Sequence, residues 1–267
     1  MDKNRIEWSM AEQFKLAFAW EAKKLFYRLY IPAGIFLGVL LLIGLLPQAA
    51  CDFLKSDAFG FVALINTGFV IAEGVGIFLP VLILIAPYGD QTRPVKVSGD
   101  LSEEASLMEG RMAMKGCPRV SLLARLALGE AVLSAMLLTG NLASVLMEKF
   151  NTESMRWFHL NFTLESCKIL VYLGAVMPLA ILWIFLRRLG RYQERQYIQS
   201  VFLGGLLGGL ISAAAELQIL HFAPGKEPPL WIMDGVWYLV MLGSAAALFR
   251  LSLRQMHNSG QPRAEEA

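Results

Sequence analysis

The sequence has few charged residues and few of the side chains that build metal or redox sites. Only 17% of its 267 residues are Asp, Glu, Lys or Arg, and it contains three histidines and three cysteines. Cys51, Cys117 and Cys167 show neither CxxC spacing nor a neighbouring histidine cluster. We therefore predict no metal centre and interpret the cysteines as small apolar residues.

Motifs for catalysis and nucleotide binding are also missing. The sequence contains no HExxH, no GxSxG and no GxxxxGK[ST]. Its net charge of +2 is too small to indicate a nucleic-acid partner. We expect a chain that is not an enzyme and binds no cofactor of its own.

The sequence contains many long apolar runs. Hydrophobic residues make up 56% of the chain, and several runs of about 20 residues match a hydrocarbon core of about 30 Å. These runs predict one transmembrane domain over residues 1–267, an all-α polytopic bundle with about six spans. The predicted spans are 31–50, 61–87, 122–147, 167–186, 198–220 and 231–250.

The segment before the first span has the pattern of a basic amphipathic helix. Its apolar stripe consists of Phe14, Phe18, Ala22, Leu25 and Leu29, at helical spacings of three and four. Lysines and Arg28 occupy the other faces. We predict an interfacial helix within residues 1–30 that ends near Pro32 and lies among membrane lipid headgroups. A helix packed on a protein partner is the alternative.

Lys and Arg are distributed unevenly between the two sets of connecting segments. Most lie before the first span, in 88–121, in 187–195, or after 250. The other side holds only Lys55, Lys149, Arg156, Lys168 and Lys226. Because positive residues are enriched in cytoplasmic loops, both termini are predicted to be cytoplasmic. We expect a multi-pass protein of a bacterial plasma membrane.

The segment 88–121 is the longest predicted cytoplasmic connection, and its pattern indicates a short helix. Ser102 is placed to cap that helix, and Glu103 and Glu104 favour its positive N-terminus. Its apolar stripe consists of Leu101, Ala105, Met108 and Met112, and Gly116 and Pro118 end it. We predict an amphipathic helix that lies on the cytoplasmic side, beneath the membrane.

Glycines four residues apart recur inside the predicted spans. The pairs are Gly34 and Gly38, Gly204 and Gly208, and Gly205 and Gly209. Small residues at this spacing let helices approach closely in lipid. We expect packing within the bundle or against a second copy of the chain.

Acidic residues inside predicted spans are candidates for function, since a charge in the bilayer is costly. Glu73 lies near the middle of the second span and Glu130 in the inner half of the third. Two interpretations stay open for both, a substrate or proton pathway and a structural hydrogen bond between helices. For Glu216 in the fifth span the structural interpretation is favoured.

This layout resembles the membrane subunits of type-2 ABC exporters. Those proteins have six spans with both ends inside, an N-terminal amphipathic helix, and a coupling helix between spans two and three. The matching residues are Glu103, Glu104, Gly110, Pro118, Arg119 and Arg125, whereas the family's Gly-Thr pair is missing.

The resemblance implies a transport subunit that pairs with a second permease copy or homologue and with a cytoplasmic ATPase subunit. ATP and Mg²⁺ would be bound by that ATPase. The implied ATPase contacts are Glu103, Glu104, Met108, Met112 and Arg119. Two alternatives stay open: a membrane assembly or anchoring protein without transport, and a lipid-modifying membrane enzyme.

Overall fold

The computed structural model describes residues 9–57, 59–89, 118–150, 164–188, 193–222 and 230–260. Across these ranges the chain is helical and contains no strand. The helices are α1 (Met10–Leu45), α2 (Gln48–Asp57), α3 (Phe59–Gly89), α4 (Pro118–Met147), α5 (Leu164–Ile169), α6 (Met177–Arg188), α7 (Gln193–Phe222) and α8 (Leu230–Gly260). A 3-10 turn, Glu148–Phe150, follows α4, and a π-helix, Leu170–Val176, joins α5 to α6.

Six helices among the described residues are long and apolar enough to cross a membrane. They are Met10–Leu45, Ala63–Ile85, Pro118–Phe150, Cys167–Arg188, Gln196–Leu217 and Leu230–His257. The predicted all-α class with six spanning helices is confirmed at this level. Each helix contains most of one predicted span, because a long apolar run is readable directly from the sequence.

The first helix differs from the prediction at its beginning. Residues 10–30 do not form a separate element, because α1 runs without interruption from Met10 through Pro32. The predicted helix end near Pro32 is therefore wrong. Proline removes one backbone donor, but breaking the helix in an apolar environment would leave several more backbone groups without partners. A continuous helix is the less costly arrangement.

The start of α1 is defined by a capping box. The Ser9 hydroxyl accepts a hydrogen bond from the Glu12 backbone amide at 3.3 Å. The Ser9 amide in turn donates to the Glu12 carboxylate at 2.8 Å. This reciprocal pair satisfies two donors that helix geometry leaves without partners. At about 1.5 Å per residue, the 36 residues of α1 span about 54 Å, which exceeds a hydrocarbon core of about 30 Å.

The end of α1 corrects the far boundary of the first predicted span. Leu46 is extended, with φ −62° and ψ 128°, because it precedes Pro47. Residues 48–50 belong to α2 instead. Lys149 donates from Nζ to the Gly44 carbonyl at 2.7 Å, and Gln48 donates to the Lys149 carbonyl at 3.0 Å. These bonds satisfy carbonyl groups at the turn and tie it to the end of α4.

Two ends of the bundle can be told apart. We call the end where α1 begins and α4 begins the proximal end, since Ala17 of α1 clusters there with Val120 and Ala124 of α4. The other is the distal end, where Leu40 and Ile43 of α1 cluster with buried residues of α2, α3 and α4. The largest apolar core lies among α6, α7, α8 and the adjoining parts of α3 and α4.

The π-helix is a seven-residue interruption inside the fourth spanning helix. Pro178 lies just beyond it and has no amide hydrogen, so the Gly174 carbonyl cannot receive the usual bond from four residues ahead. A π-helical turn does not need that bond, because its hydrogen bonds join residues five apart. Such turns inside α-helices are rare and are frequent at functional sites.

Candidate functional site

The most deeply buried charged pair among the described residues joins α1 to α4. Arg125 Nε donates to Glu21 Oε1 at 2.9 Å, and the two side chains are only 5% and 6% exposed. Removing one partner would leave a buried charge without compensation, which typically costs about 3–5 kcal/mol. The pair therefore fixes where α1 sits on α4.

Small residues around this ion pair bring the two helices close together. Ala17 and Ala124 are fully buried beside Val120, and Phe14 and Phe18 cover them from α1. The phenyl rings stack with centroids 6.1 Å apart. An alanine at each contact leaves room for backbone approach. Phe14 and Phe18, the first two residues of the predicted apolar stripe, thus pack on α4.

Sequence reasoning missed Glu21, although a signal was present. Glu21 follows Ala17 by four residues and Phe18 by three, so it lies on the apolar face of the helix. An acidic residue on such a face needs a buried partner. Its partner Arg125 is 104 residues away in the chain, and no local pattern identifies it.

A cleft opens next to the ion pair, between α1, α3 and α4. Phe36 and Phe69 hold α1 and α3 together toward the distal end, with ring centroids 5.4 Å apart. Toward the proximal end α1 and α3 leave a cavity of about 210 Å³ between them. Its wall on α1 carries Glu21, Lys24 and Arg28 among leucines, and its remaining wall is apolar. We call this cavity the α1 cleft.

Glu130 lies on α4, against the π-helix. It is half-buried, and its carboxyl group occupies the place where a Cβ of residue 174 would be. Only glycine at position 174 leaves that space. The widened turn and the missing side chain together let a carboxylate sit between two spanning helices. The structure thus brings Glu130 next to a π-helical turn that sequence reasoning did not predict.

Glu73, the other acidic candidate, belongs to α3, but its side chain lies outside what the structure describes. Glu216 is exposed on α7. Asp234 of α8 forms an ion pair with Lys168 of α5 at 2.5 Å, with side chains 18% and 31% exposed. Glu130, Glu216 and Asp234 therefore do not lie together in one site.

The glycine pairs fall in two different environments. A Cβ at Gly204 would overlap the Ile181 backbone, and one at Gly208 would contact Met177 and Tyr172. These glycines let α7 pack directly on the π-helix and α6. At Gly34, Gly38 and Gly205 an added methyl group would meet nothing within 4 Å, and at Gly209 it would approach only the Tyr172 hydroxyl, at 4.0 Å.

The residues predicted to contact an ATPase fall largely outside the described part of the chain. Glu103, Glu104, Met108 and Met112 are in this group. Arg119 is described, and its side chain is exposed in the first turn of α4. It therefore faces outward at the proximal end.

Among the described residues no group of three His, Cys, Asp or Glu side chains is placed to hold a metal ion. No family model, no curated protein and no solved structure matches this chain. The class is defined by the fold: the chain is an integral, multi-pass membrane protein of the α-helical type.

Proposed function

We propose that this chain is the permease subunit of an ATP-driven exporter, with a separate subunit hydrolysing ATP. The observation that carries the proposal is Glu130, a half-buried carboxylate packed against a π-helical turn inside a six-helix membrane bundle. Ionisable side chains between membrane helices mark substrate or proton pathways, and π-turns are frequent at functional sites.

The distribution of charge supports the orientation that this function requires. Both termini and the segment 88–121 are rich in Lys and Arg, so we place the proximal end of the bundle in the cytoplasm. The proposed ATPase then binds beneath α3 and α4. Arg119, exposed at the first turn of α4, is on that side.

The proposed coupling runs from the segment 88–121 into the membrane helices. Glu103, Glu104, Met108, Met112 and Arg119 would contact the ATPase, and α4 would carry the movement to Glu130. A rigid shift of α4 against the π-helix is a movement of packed helices of the kind that opens and closes membrane pathways. A second permease subunit would complete the pathway.

Purification in mild detergent tests the proposal directly. We expect a stoichiometric partner with a nucleotide-binding GxxxxGK[ST] motif, whose ATP hydrolysis responds to this chain. Reproducible purification without any ATPase contradicts the proposal and favours an assembly or anchoring protein. Lipid turnover by the isolated chain favours a lipid-modifying enzyme instead.

Charge reversal at the predicted ATPase contacts tests the coupling. Glu103→Lys with Glu104→Lys should abolish stimulation of ATP hydrolysis while membrane insertion stays unchanged, because the contact is electrostatic. The matched control is Asp52→Lys with Glu148→Lys, two exposed acids at the distal end, which should leave coupling intact. Equal effects of the two variants would contradict the assigned contact.

Substitution of Glu130 tests the pathway. Glu130→Gln keeps the size of the side chain but removes its charge, and we expect transport to fall by about 10-fold or more with the ATPase still bound. Glu216→Gln on the exposed face of α7 is the control and should transport normally. Full transport by the Glu130→Gln complex would assign Glu130 a structural role.

A further inference from the structure

One side of α8 is exposed over most of its length and changes along the helix from apolar to basic. Leu239, Gly243, Ala246, Arg250 and Arg254 follow one another at spacings of three and four, so they lie in one row on the same side of the helix. All five are exposed. We call this row the α8 face.

The length of the apolar part of α8 sets the depth of the two arginines in a membrane. Apart from Asp234, the helix is uncharged from Leu230 to Phe249. These roughly 20 residues span about 30 Å, which matches the thickness of the hydrocarbon core. Arg250 follows directly, so it lies at the edge of the hydrocarbon, and Arg254 lies about 6 Å farther out. The basic and apolar parts of the α8 face are therefore at different depths.

The two arginines are accessible to a ligand. Among the side chains that the structure describes, neither guanidinium group forms an ion pair or a hydrogen bond. His257 is also exposed, three residues beyond Arg254 on the same side of the helix. Guanidinium groups donate paired hydrogen bonds to phosphate oxygens, and two of them one helical turn apart suit one phosphate group.

The apolar part of the α8 face is a shallow groove. Gly243 and Ala246 have little or no side chain, and a Cβ added at Gly243 would meet nothing within 4 Å. Leu239 ends the groove and Leu242 borders it, with exposed fractions of 75% and 54%. Small residues let a neighbouring group approach a helix backbone closely. The groove therefore offers a path for a hydrocarbon chain that starts at the arginines and leads into the bilayer.

Charge argues against a second copy of the chain as the occupant of this face. Copies in one membrane have the same orientation, so a two-fold pairing of their α8 helices would bring Arg250 and Arg254 of both chains together. Like charges that oppose each other across an interface are unfavourable. An anionic headgroup has the opposite charge and is favoured at the same place.

We infer that the α8 face binds an anionic phospholipid, with the phosphate group at Arg250 and Arg254 and an acyl chain along Ala246, Gly243 and Leu239. Positive side chains near a membrane surface attract anionic lipid, and the groove adds the burial of methylene groups. The site follows from the row of residues itself in either orientation of the chain, so it does not depend on the proposed transport function.

Native mass spectrometry of the detergent-purified chain tests this inference, with phosphatidylglycerol and phosphatidylcholine of identical acyl chains as probes. We expect phosphatidylglycerol to be retained in preference to phosphatidylcholine. In Arg250→Gln with Arg254→Gln, its affinity should fall by about 30-fold, the loss expected for two basic side chains at an anionic lipid. Equal retention of the two lipids by the unmodified chain would overturn the inference.

The matched control is Lys15→Gln with Arg119→Gln, which removes two exposed basic side chains of α1 and α4 at the proximal end. It should retain phosphatidylglycerol like the unmodified chain. An equal loss in the control would show general surface attraction and overturn the site. Gel filtration checks that the variants fold. If the glutamine variant does not, Arg250→Lys with Arg254→Lys keeps both charges and should still prefer phosphatidylglycerol, and loss of that preference would count against the site.

A further pair of variants separates the lipid from a free anion. Gly243→Leu fills the groove but keeps both arginines, and we expect the affinity for phosphatidylglycerol to fall by about 4-fold, the loss for one displaced methylene group. Gly34→Leu, at an equally open position of α1, is the control and should bind normally. Inorganic phosphate at millimolar concentration should not displace the lipid. Equal binding by the two glycine variants, or complete displacement by phosphate, would show a simple anion site and contradict a lipid site.

The same spectra report the oligomeric state, which tests the other occupant. We expect phosphatidylglycerol on the monomer. A dimer that carries no phosphatidylglycerol and that Gly243→Leu separates would assign the α8 face to a second copy and overturn the inference.

Discussion

The first and the fourth spanning helices are similarly apolar but are held in the bundle by different means. Their mean hydropathies over the most apolar segment are 2.0 and 2.5, yet 11% of that segment is buried in α1 against 56% in the fourth helix. Apolar character alone therefore does not determine which helix is central. Lipid is as apolar as a leucine side chain, so hydrophobicity does not drive one membrane helix onto another.

Specific contacts explain the difference. The fourth helix packs on the glycine-bearing face of α7, where Gly204 and Gly208 bring backbones together, and its residues form half of the buried main core. The first helix is attached in two regions. Toward the proximal end Ala17 and the Glu21–Arg125 pair hold it on α4, and toward the distal end the Phe36–Phe69 contact and the cluster around Leu40 and Ile43 hold it. One helix is held along its length, and the other is held toward both ends with a cleft between the two regions.

If α1 is held by its ion pair, breaking that pair should have the largest effect on stability. Arg125→Met should lower the free energy of unfolding by about 3–5 kcal/mol, because Glu21 is left buried without its partner. The double variant Glu21→Leu with Arg125→Met should recover most of the loss, since no buried charge remains. Denaturant unfolding in detergent micelles measures both.

The partly exposed pair Lys168–Asp234 provides the control for this cycle. Lys168→Met should cost no more than about 1 kcal/mol, as expected where solvent weakens the attraction. An Arg125→Met variant as mildly affected as Lys168→Met would contradict the anchoring role.

If close packing on α7 holds the fourth helix, adding a methyl group should affect stability differently at the adjacent positions Gly204 and Gly205. Gly204→Ala should cost about 1–3 kcal/mol, because the new Cβ overlaps the Ile181 backbone. Gly205→Ala meets nothing within 4 Å and should be neutral or stabilising by up to about 1 kcal/mol, since alanine favours helix. Thermal unfolding of the two variants side by side gives the difference, and equal midpoints would count against this packing.

If Glu130 contacts the π-helix, the effects on stability of substitutions at Glu130 and Gly174 should depend on each other. Gly174→Ala forces the Glu130 carboxyl group to move, and we expect a cost of about 1–2 kcal/mol, below that at Gly204 because a side chain yields more easily than backbone. In a Glu130→Ala background the same substitution should cost less. A double-mutant cycle by unfolding measures the coupling, and strict additivity would place the carboxyl group elsewhere.

The glycines of α1 should give the smallest effect. A methyl group at Gly38 meets nothing within 4 Å, so Gly38→Ala should leave the stability of the single chain unchanged or raise it by up to about 1 kcal/mol. The unfolding midpoint measured at low protein concentration checks this. A marked loss that grows with protein concentration would show that this face packs against a second copy.

The existence and approximate position of the six apolar helices could be predicted because each is a local property of about 20 residues. The path of α1 through Pro32 could not, since a local rule for proline was outweighed by the cost of breaking backbone hydrogen bonds in an apolar environment. The end of α1 at Leu45 does follow a local rule, because Pro47 makes Leu46 extended.

Only part of the candidate site could be predicted, because local sequence patterns do not reveal contacts between residues far apart in the chain. Glu130 could be selected as an acid inside an apolar run, but its neighbour Gly174 depends on a π-turn and on long-range packing. Arg125 was singled out by the resemblance to the exporter family. Glu21 could not be singled out, because its partner is 104 residues away in the chain. Gly204 and Gly34 carry the same spacing signal, and only tertiary structure separates the packed pair from the unpacked one.

The orientation of the bundle is the claim on which the proposed function rests most directly. Cysteine labelling with a membrane-impermeant reagent, in a background with the three native cysteines replaced by serine, measures it at single positions. Lys55→Cys should be labelled in intact cells, and Ser9→Cys and His257→Cys only after the membrane is permeabilised. Labelling of Ser9→Cys or His257→Cys in intact cells would place the proximal end outside and contradict an ATPase bound beneath it.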